Sequence, residues 1–308
     1  MTLTDLVEDY LLAWVLLAVG VGVFVPDVAV ITRAATPLLA VMVGSVSLTL
    51  SRSRFRDIEV RALAVTLCGH LAMPLVAYAI ARVAGLSPAL TVGFVLLGAV
   101  TPELVTPTMT ELAGGDTALS SVVLVAAGLG STVVVPGATA LVGAASVATW
   151  PIVEQLLLAV VAPMILAIAV RARFPVRVAR HDETYPAVSA VMVVLVIGGV
   201  TGANAGLLRG DTAILASVGT AALALNVTGY ALGWLVTAGT DRATRIAGSL
   251  SVGMRDFAVA AALVVTAGFP PEAALPAVAF GVVEMATSAA IVRLSARDVP
   301  TPSLRVVR

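Results

Sequence analysis

Long apolar runs separated by short polar clusters set the frame of this 308-residue chain. A run of about 17–25 predominantly apolar residues is what an α-helix needs to cross a bilayer. Ten such runs can be placed, at 10–26, 35–50, 61–84, 89–112, 117–140, 150–171, 185–203, 211–236, 243–267 and 273–295. The pattern predicts an all-α polytopic membrane protein with ten transmembrane helices.

Two of the runs are interrupted. The fourth contains TPELVTP, Thr101–Pro107, and two prolines five apart cannot both sit in a regular helix without freeing carbonyls. The ninth contains SVGMRDFAVAAAL, Ser251–Leu263, an Arg–Asp pair with Gly248 and Gly253 ahead of it. The interruptions lie about half a chain apart. Five helices per half is an odd number, so the halves, 1–148 and 149–308, insert in opposite orientations. Unwound helices at matching places in inverted halves point to a transporter's binding site. Non-helical backbone at that depth persists only where it lines a cavity or is enclosed by protein.

Composition narrows the class. Hydrophobic residues make up 59% of the chain, charged residues 12%, and the mean hydropathy is +1.06. A soluble domain carries about a quarter charged residues. The formal net charge is zero, which gives no pull toward nucleic acid. The single cysteine, Cys68, excludes an internal disulfide framework and a multi-cysteine metal centre, and no metal or cofactor is expected. All 18 basic residues are arginine, which with the richness in Ala, Val and Gly suggests a GC-rich bacterial genome and so a cytoplasmic (inner) membrane.

Arginines also set the orientation. If ten helices alternate, one face receives Arg52, Arg54, Arg56 and Arg61, then Arg171, Arg173, Arg177 and Arg180, then Arg242 and Arg245, then Arg293, Arg297, Arg305 and Arg308. The other face receives Arg33, Arg82 and Arg209. This asymmetry predicts both termini in the cytoplasm. Asp5, Glu8 and Asp9 stand where a signal peptide would carry positive charge, so the first run is expected to be a retained helix. Trp14, Trp150 and Trp234 are expected near helix ends as interface anchors.

Val92–Glu103 (VGFVLLGAVTPE) followed by Thr110–Ser120 (TELAGGDTALS) resembles the fourth and fifth helices of the bile acid:sodium symporter family, within the bile/arsenite/riboflavin transporter superfamily. The likeness continues in Pro37–Leu50 for the second helix, Leu225–Gly233 (LNVTGYALG) for the eighth and Gly248–Leu263 for the ninth. It runs in order over nearly the whole chain. The resemblance implies two inverted five-helix repeats. It also implies a panel, about 10–50 and 150–203, that rocks against a core, about 61–140 and 211–295, in which the broken fourth and ninth helices cross. The activity it implies is secondary transport of a small organic anion by alternating access, usually coupled to sodium.

The departures from the family pattern are specific. One family sodium site uses a Ser–Asn pair of the fourth helix, hydroxyls of the fifth and a glutamate of the ninth. By the resemblance these fall on Thr106 and Pro107 (or Pro107 and Thr108), on Leu124 and Ala127 or Gly128, and on Ser251. Most of the oxygen ligands a hard cation needs are lost. The second site uses two glutamines, which fall on Arg255 and near Gly69 or His70. Two unit positive charges about 4 Å apart repel by about 4 kcal/mol even at an effective dielectric of 20. The expectation is a divergent member with altered sodium sites that transports without sodium, Arg255 taking the cation's place.

An intramembrane arginine needs a partner, and Asp256, Glu103 and Glu284 are the candidates. By the resemblance, Asp256 stands where an asparagine faces the substrate and Glu284 at a cavity-lining polar position. Three acids against one arginine leave a surplus able to take a proton, a cation or a cationic group, which makes protons candidate coupling partners beside the solute and the lipid. Each residue also has a plainer reading. Arg255 and Glu284 could form a structural ion pair, and Glu103 could cap the second half of the fourth helix. His70 could be a packed, hydrogen-bonded histidine. Thr106, Thr108 and Ser251 could satisfy freed backbone groups, and Asn226 could join helices.

Other classes remain open at this level. An arsenite-type permease would want a thiolate near the fourth-helix break, and Cys68 lies in the third helix. An intramembrane aspartyl protease is suggested only by Gly114-Gly115-Asp116, which falls at a loop, so no enzyme activity is expected. A transport-inactive receptor would need a domain to read out its signal, and the run pattern contains none.

Overall fold

The computed structural model describes residues 11–50, 58–142, 149–210 and 212–296. The arginines at 52, 54, 56, 297, 305 and 308 and the acids Asp5, Glu8 and Asp9, which enter the orientation argument, lie outside the described residues. Every regular element described is helical.

Helix α1 spans Leu11–Phe24, and a 3-10 stretch, Pro26–Ala34, runs directly into α2, Ala35–Ser47. The hydrophobic pattern placed this second span at 35–50. It begins earlier because Pro26 opens the 3-10 stretch, where a missing N–H costs nothing. Helix α3 is Val60–Val83, α4 Pro88–Ala99, α5 Thr106–Leu112 and α6 Thr117–Leu141. The sixth run is three pieces: α7, Thr149–Leu156, a π-helical turn, Leu157–Val161, and α8, Ala162–Arg173. The widened turn precedes Pro163, whose ring would otherwise meet the carbonyl four residues back. The remaining elements are α9 (Pro175–Ala179), α10 (Thr184–Ala203), α11 (Ala205–Gly210), α12 (Thr212–Val236), α13 (Arg242–Gly253), α14 (Phe257–Thr266) and, after a 3-10 turn at Pro271–Ala274, α15 (Leu275–Ala296).

Among the described residues eight helical segments are long and apolar enough to cross a membrane. Leu11–Phe24 and Pro88–Ala99 are apolar but shorter, at 14 and 12 residues. Helix α10 packs on α1 and α2, and α8 packs on α2; α3, α4, α12, α13 and α15 pack largely among themselves.

Enclosure differs sharply between spans. In the most apolar stretch of Arg242–Thr266, 94% of residues are buried, against 33% for Val60–Val83 and for Thr212–Val236. The Arg–Asp pair thus lies on the span most shielded from lipid. That enclosure needs close helix approach. A Cβ at Gly233 would run into the Gly248 carbonyl, and one at Gly253 into the Tyr230 ring, so α12 and α13 meet backbone to backbone.

Candidate functional site

Both broken spans open where the sequence placed the breaks. Residues 100–105 separate α4 from α5, with Pro102 in the gap and Pro107 in the first turn of α5. Residues 254–256 separate α13 from α14. The two gaps meet directly: the Asp256 N–H donates to the Thr101 carbonyl at 3.0 Å.

Arg255 sits at this meeting point, fully buried. Its Nη1 donates to the His70 ring, 2.8 Å from Nδ1, and lies 3.3 Å from the Val100 carbonyl. Its Nη2 donates to the Val252 carbonyl at 2.9 Å. The guanidinium therefore fastens α3, the end of α13 and the first gap to one another. Among the described residues its Nε has no partner.

The sequence argument sought a carboxylate partner for this guanidinium. Among the described residues it forms no ion pair with Asp256, Glu103 or Glu284; its acceptors are a neutral ring nitrogen and two main-chain carbonyls. The reason is local. The opened backbone frees carbonyls beside the guanidinium, and the acids are turned to other donors. Glu284, on α15, accepts the Arg255 main-chain N–H at 2.7 Å through Oε2.

The other acids are likewise engaged with backbone. Asp256 Oδ1 caps α14 by accepting the Val259 N–H at 2.9 Å. Glu103 does not cap α5: that helix has Val105 at its N-cap and no side-chain cap. Its carboxyl instead lies against the amides of Leu104 and Phe257, at the start of α14. The crossing of the gaps brings it to the other span's helix rather than its own. One oxygen of each acid, Glu103 Oε2, Asp256 Oδ2 and Glu284 Oε1, is buried with no hydrogen-bond partner among the described residues.

The remaining predicted residues are divided. Thr106 is buried, its hydroxyl 3.8 Å from Met254 Sδ, whereas Thr108 is on the exposed side of α5. Ser251 is buried with an unpartnered hydroxyl, while its carbonyl faces the His70 ring. Asn226 ties three elements: its Nδ2 donates to the Gly253 carbonyl at 3.2 Å, and its Oδ1 accepts from the Thr287 hydroxyl at 2.6 Å. Tyr230 and Thr287 escaped the sequence reading. Their signal was helical spacing, Tyr230 four residues after Asn226 and Thr287 three after Glu284. Also missed was buried Gln155 on α7, which accepts from the Thr36 hydroxyl at 2.9 Å and leaves its Nε2 unpartnered. Among the described residues no group of His, Cys, Asp and Glu is placed to hold a metal ion.

Comparison with known proteins agrees with this architecture. The family model described as "Sodium Bile acid symporter family" matches residues 36–211. A Bacillus subtilis (strain 168) protein described as "Uncharacterized sodium-dependent transporter YocS" is 30% identical over 281 residues, which cover 87% of this chain and 85% of that protein. With broken spans that meet inside a multi-pass membrane protein, these matches establish that the chain belongs to the sodium bile acid symporter family, a family of membrane transporters.

Proposed function

We propose that the chain carries a small organic anion across the cytoplasmic membrane by alternating access and does not require sodium. The observation that carries this reading is the buried Arg255 guanidinium, which joins the two gaps to His70 with no carboxylate at hydrogen-bond range. A fixed cation at the crossing supplies the charge that a bound sodium ion would otherwise supply, and it opposes a second cation nearby. The architecture in this reading is ten crossings in two inverted repeats, 1–148 and 149–308, with both termini cytoplasmic. The panel comprises about 10–50 and 150–203 and the core about 61–140 and 211–295. The packing of α10 and α8 on α1 and α2, and of α3, α4, α12, α13 and α15 largely among themselves, supports that division.

The test is uptake of a panel of labelled small carboxylates into proteoliposomes, with external sodium exchanged for choline. Uptake that persists in choline supports the reading, and uptake that collapses overturns its sodium clause. No flux for any anion would favour a receptor, and hydrolysis of a reporter peptide would favour an enzyme. One specific observation favours a sodium-coupled reading: the Bacillus relative is described as sodium-dependent. In that reading the free oxygens of Ser251, Asp256 and Glu284 would form an atypical ion site.

A further inference from the structure

Three carboxyl groups, Glu103, Asp256 and Glu284, and one guanidinium, Arg255, are buried at the crossing. Glu284 and Asp256 each give one oxygen to a main-chain amide, Glu103 lies near the amides of Leu104 and Phe257, and among the described residues the other oxygen of each acid has no donor. Glu103 is within electrostatic reach of both other acids, and Glu284 of Asp256 and Arg255. If all three were ionised, the cluster would hold two negative charges beyond what Arg255 matches. Enclosed charge of that kind is disfavoured unless it is paired or neutralised.

The other titratable groups facing the cluster do not supply the missing positive charge. His70, from α3, must offer a ring nitrogen as acceptor to the guanidinium, which requires neutral imidazole. Tyr230, from α12, shares the Thr287 hydroxyl and is uncharged in its phenol form. Helices α6 and α14 carry no ionisable side chain. Of the three, Glu284 is the acid hydrogen-bonded to Arg255 itself, through the main-chain N–H at 2.7 Å. Glu103 and Asp256 are then the acids to be neutralised. The oxygen that caps α14 and the oxygen free to carry a proton are different atoms of Asp256, so cap and proton coexist.

We propose that Glu103 Oε2 and Asp256 Oδ2 form a proton-binding pair at the crossing of the two broken spans, and that these protons are the coupling ions of the cycle. The coupling role rests on the transporter reading above; the proton binding does not. Opening the crossing to one side hydrates the pair and lets a proton leave or enter, and closing it requires the protons to be present.

The experiment counts protons. Purified full-length protein, without substrate or gradient, is unfolded in a weakly buffered detergent solution at about pH 8, where ordinary carboxyls are ionised in both states. A native state that holds protons which the unfolded chain cannot keep releases them on unfolding, and its stability falls as pH rises. The expected count is about two protons per chain for the wild type, about one each for Glu103→Gln and Asp256→Asn, and none for the double variant. A wild-type count of zero overturns the proposal, whether or not the variants fold. A count of two that survives in the double variant overturns the assignment to these residues. A zero count leaves the anion-flux result standing, and an absence of flux leaves the proton count standing, so the two readings fail separately.

Discussion

The two gaps at the crossing are built from opposite halves of the hydrogen bond. The first, residues 100–105, offers acceptors: the Val100 carbonyl receives the guanidinium and the Thr101 carbonyl receives the Asp256 N–H. Its Pro102 has no N–H to leave stranded. The second, residues 254–256, offers donors: the N–H of Arg255 goes to Glu284, that of Asp256 to Thr101, and the guanidinium reaches His70, Val100 and Val252. A helix opened inside a bilayer must place every freed polar group on protein. Two of the bonds run from one gap to the other, Asp256 N–H to Thr101 and the guanidinium to Val100. The two gaps share these bonds, and in the proposed alternating-access cycle the joint between them is where the movement would act.

The comparison breaks most severely at Arg255. Arg255→Ala removes the donor that serves His70, Val100 and Val252 and leaves the acids without a cation. It is expected to cost about 3–5 kcal/mol, read as loss of folded protein in detergent or a large drop in thermal midpoint. Next comes Gly253→Ala, which drives a methyl into the Tyr230 ring where α12 meets α13. A cost of about 1–3 kcal/mol is expected from thermal unfolding, with partial recovery in the Tyr230→Ala background. Asn226→Ala strands the Gly253 carbonyl just before the donor gap. About 1–3 kcal/mol is expected in the same assay. Smallest is Thr106→Val, which loses only a long contact to Met254 Sδ at the edge of the acceptor gap. A change within about 1 kcal/mol is expected, and a larger one would show that the Thr106 hydroxyl has a further role.

The helices and both gaps were legible in the sequence because their causes are residue types. Apolar runs mark spans, Pro102 and Pro107 mark one break, and an Arg–Asp pair in an apolar run marks the other. The residues that gather at the crossing were legible too, but their partners were not. Arg255 bonds to carbonyls of Val100 and Val252, and main-chain acceptors leave no trace in residue identity. For the same reason one of the two readings of Glu103 made it a cap for α5, its neighbour along the chain, when the crossing brings it near the start of α14. The early start of the second span followed from a 3-10 stretch whose polar Asp27, Thr32 and Arg33 diluted the apolar signal.

Equilibrium binding of radioactive sodium to the purified full-length protein decides whether Arg255 takes the place of a coupling cation. No saturable binding by the wild type is expected at any concentration up to about 0.15 M, the physiological ionic strength. Saturable binding by the wild type in that range would contradict it and place a sodium ion at the crossing despite the guanidinium.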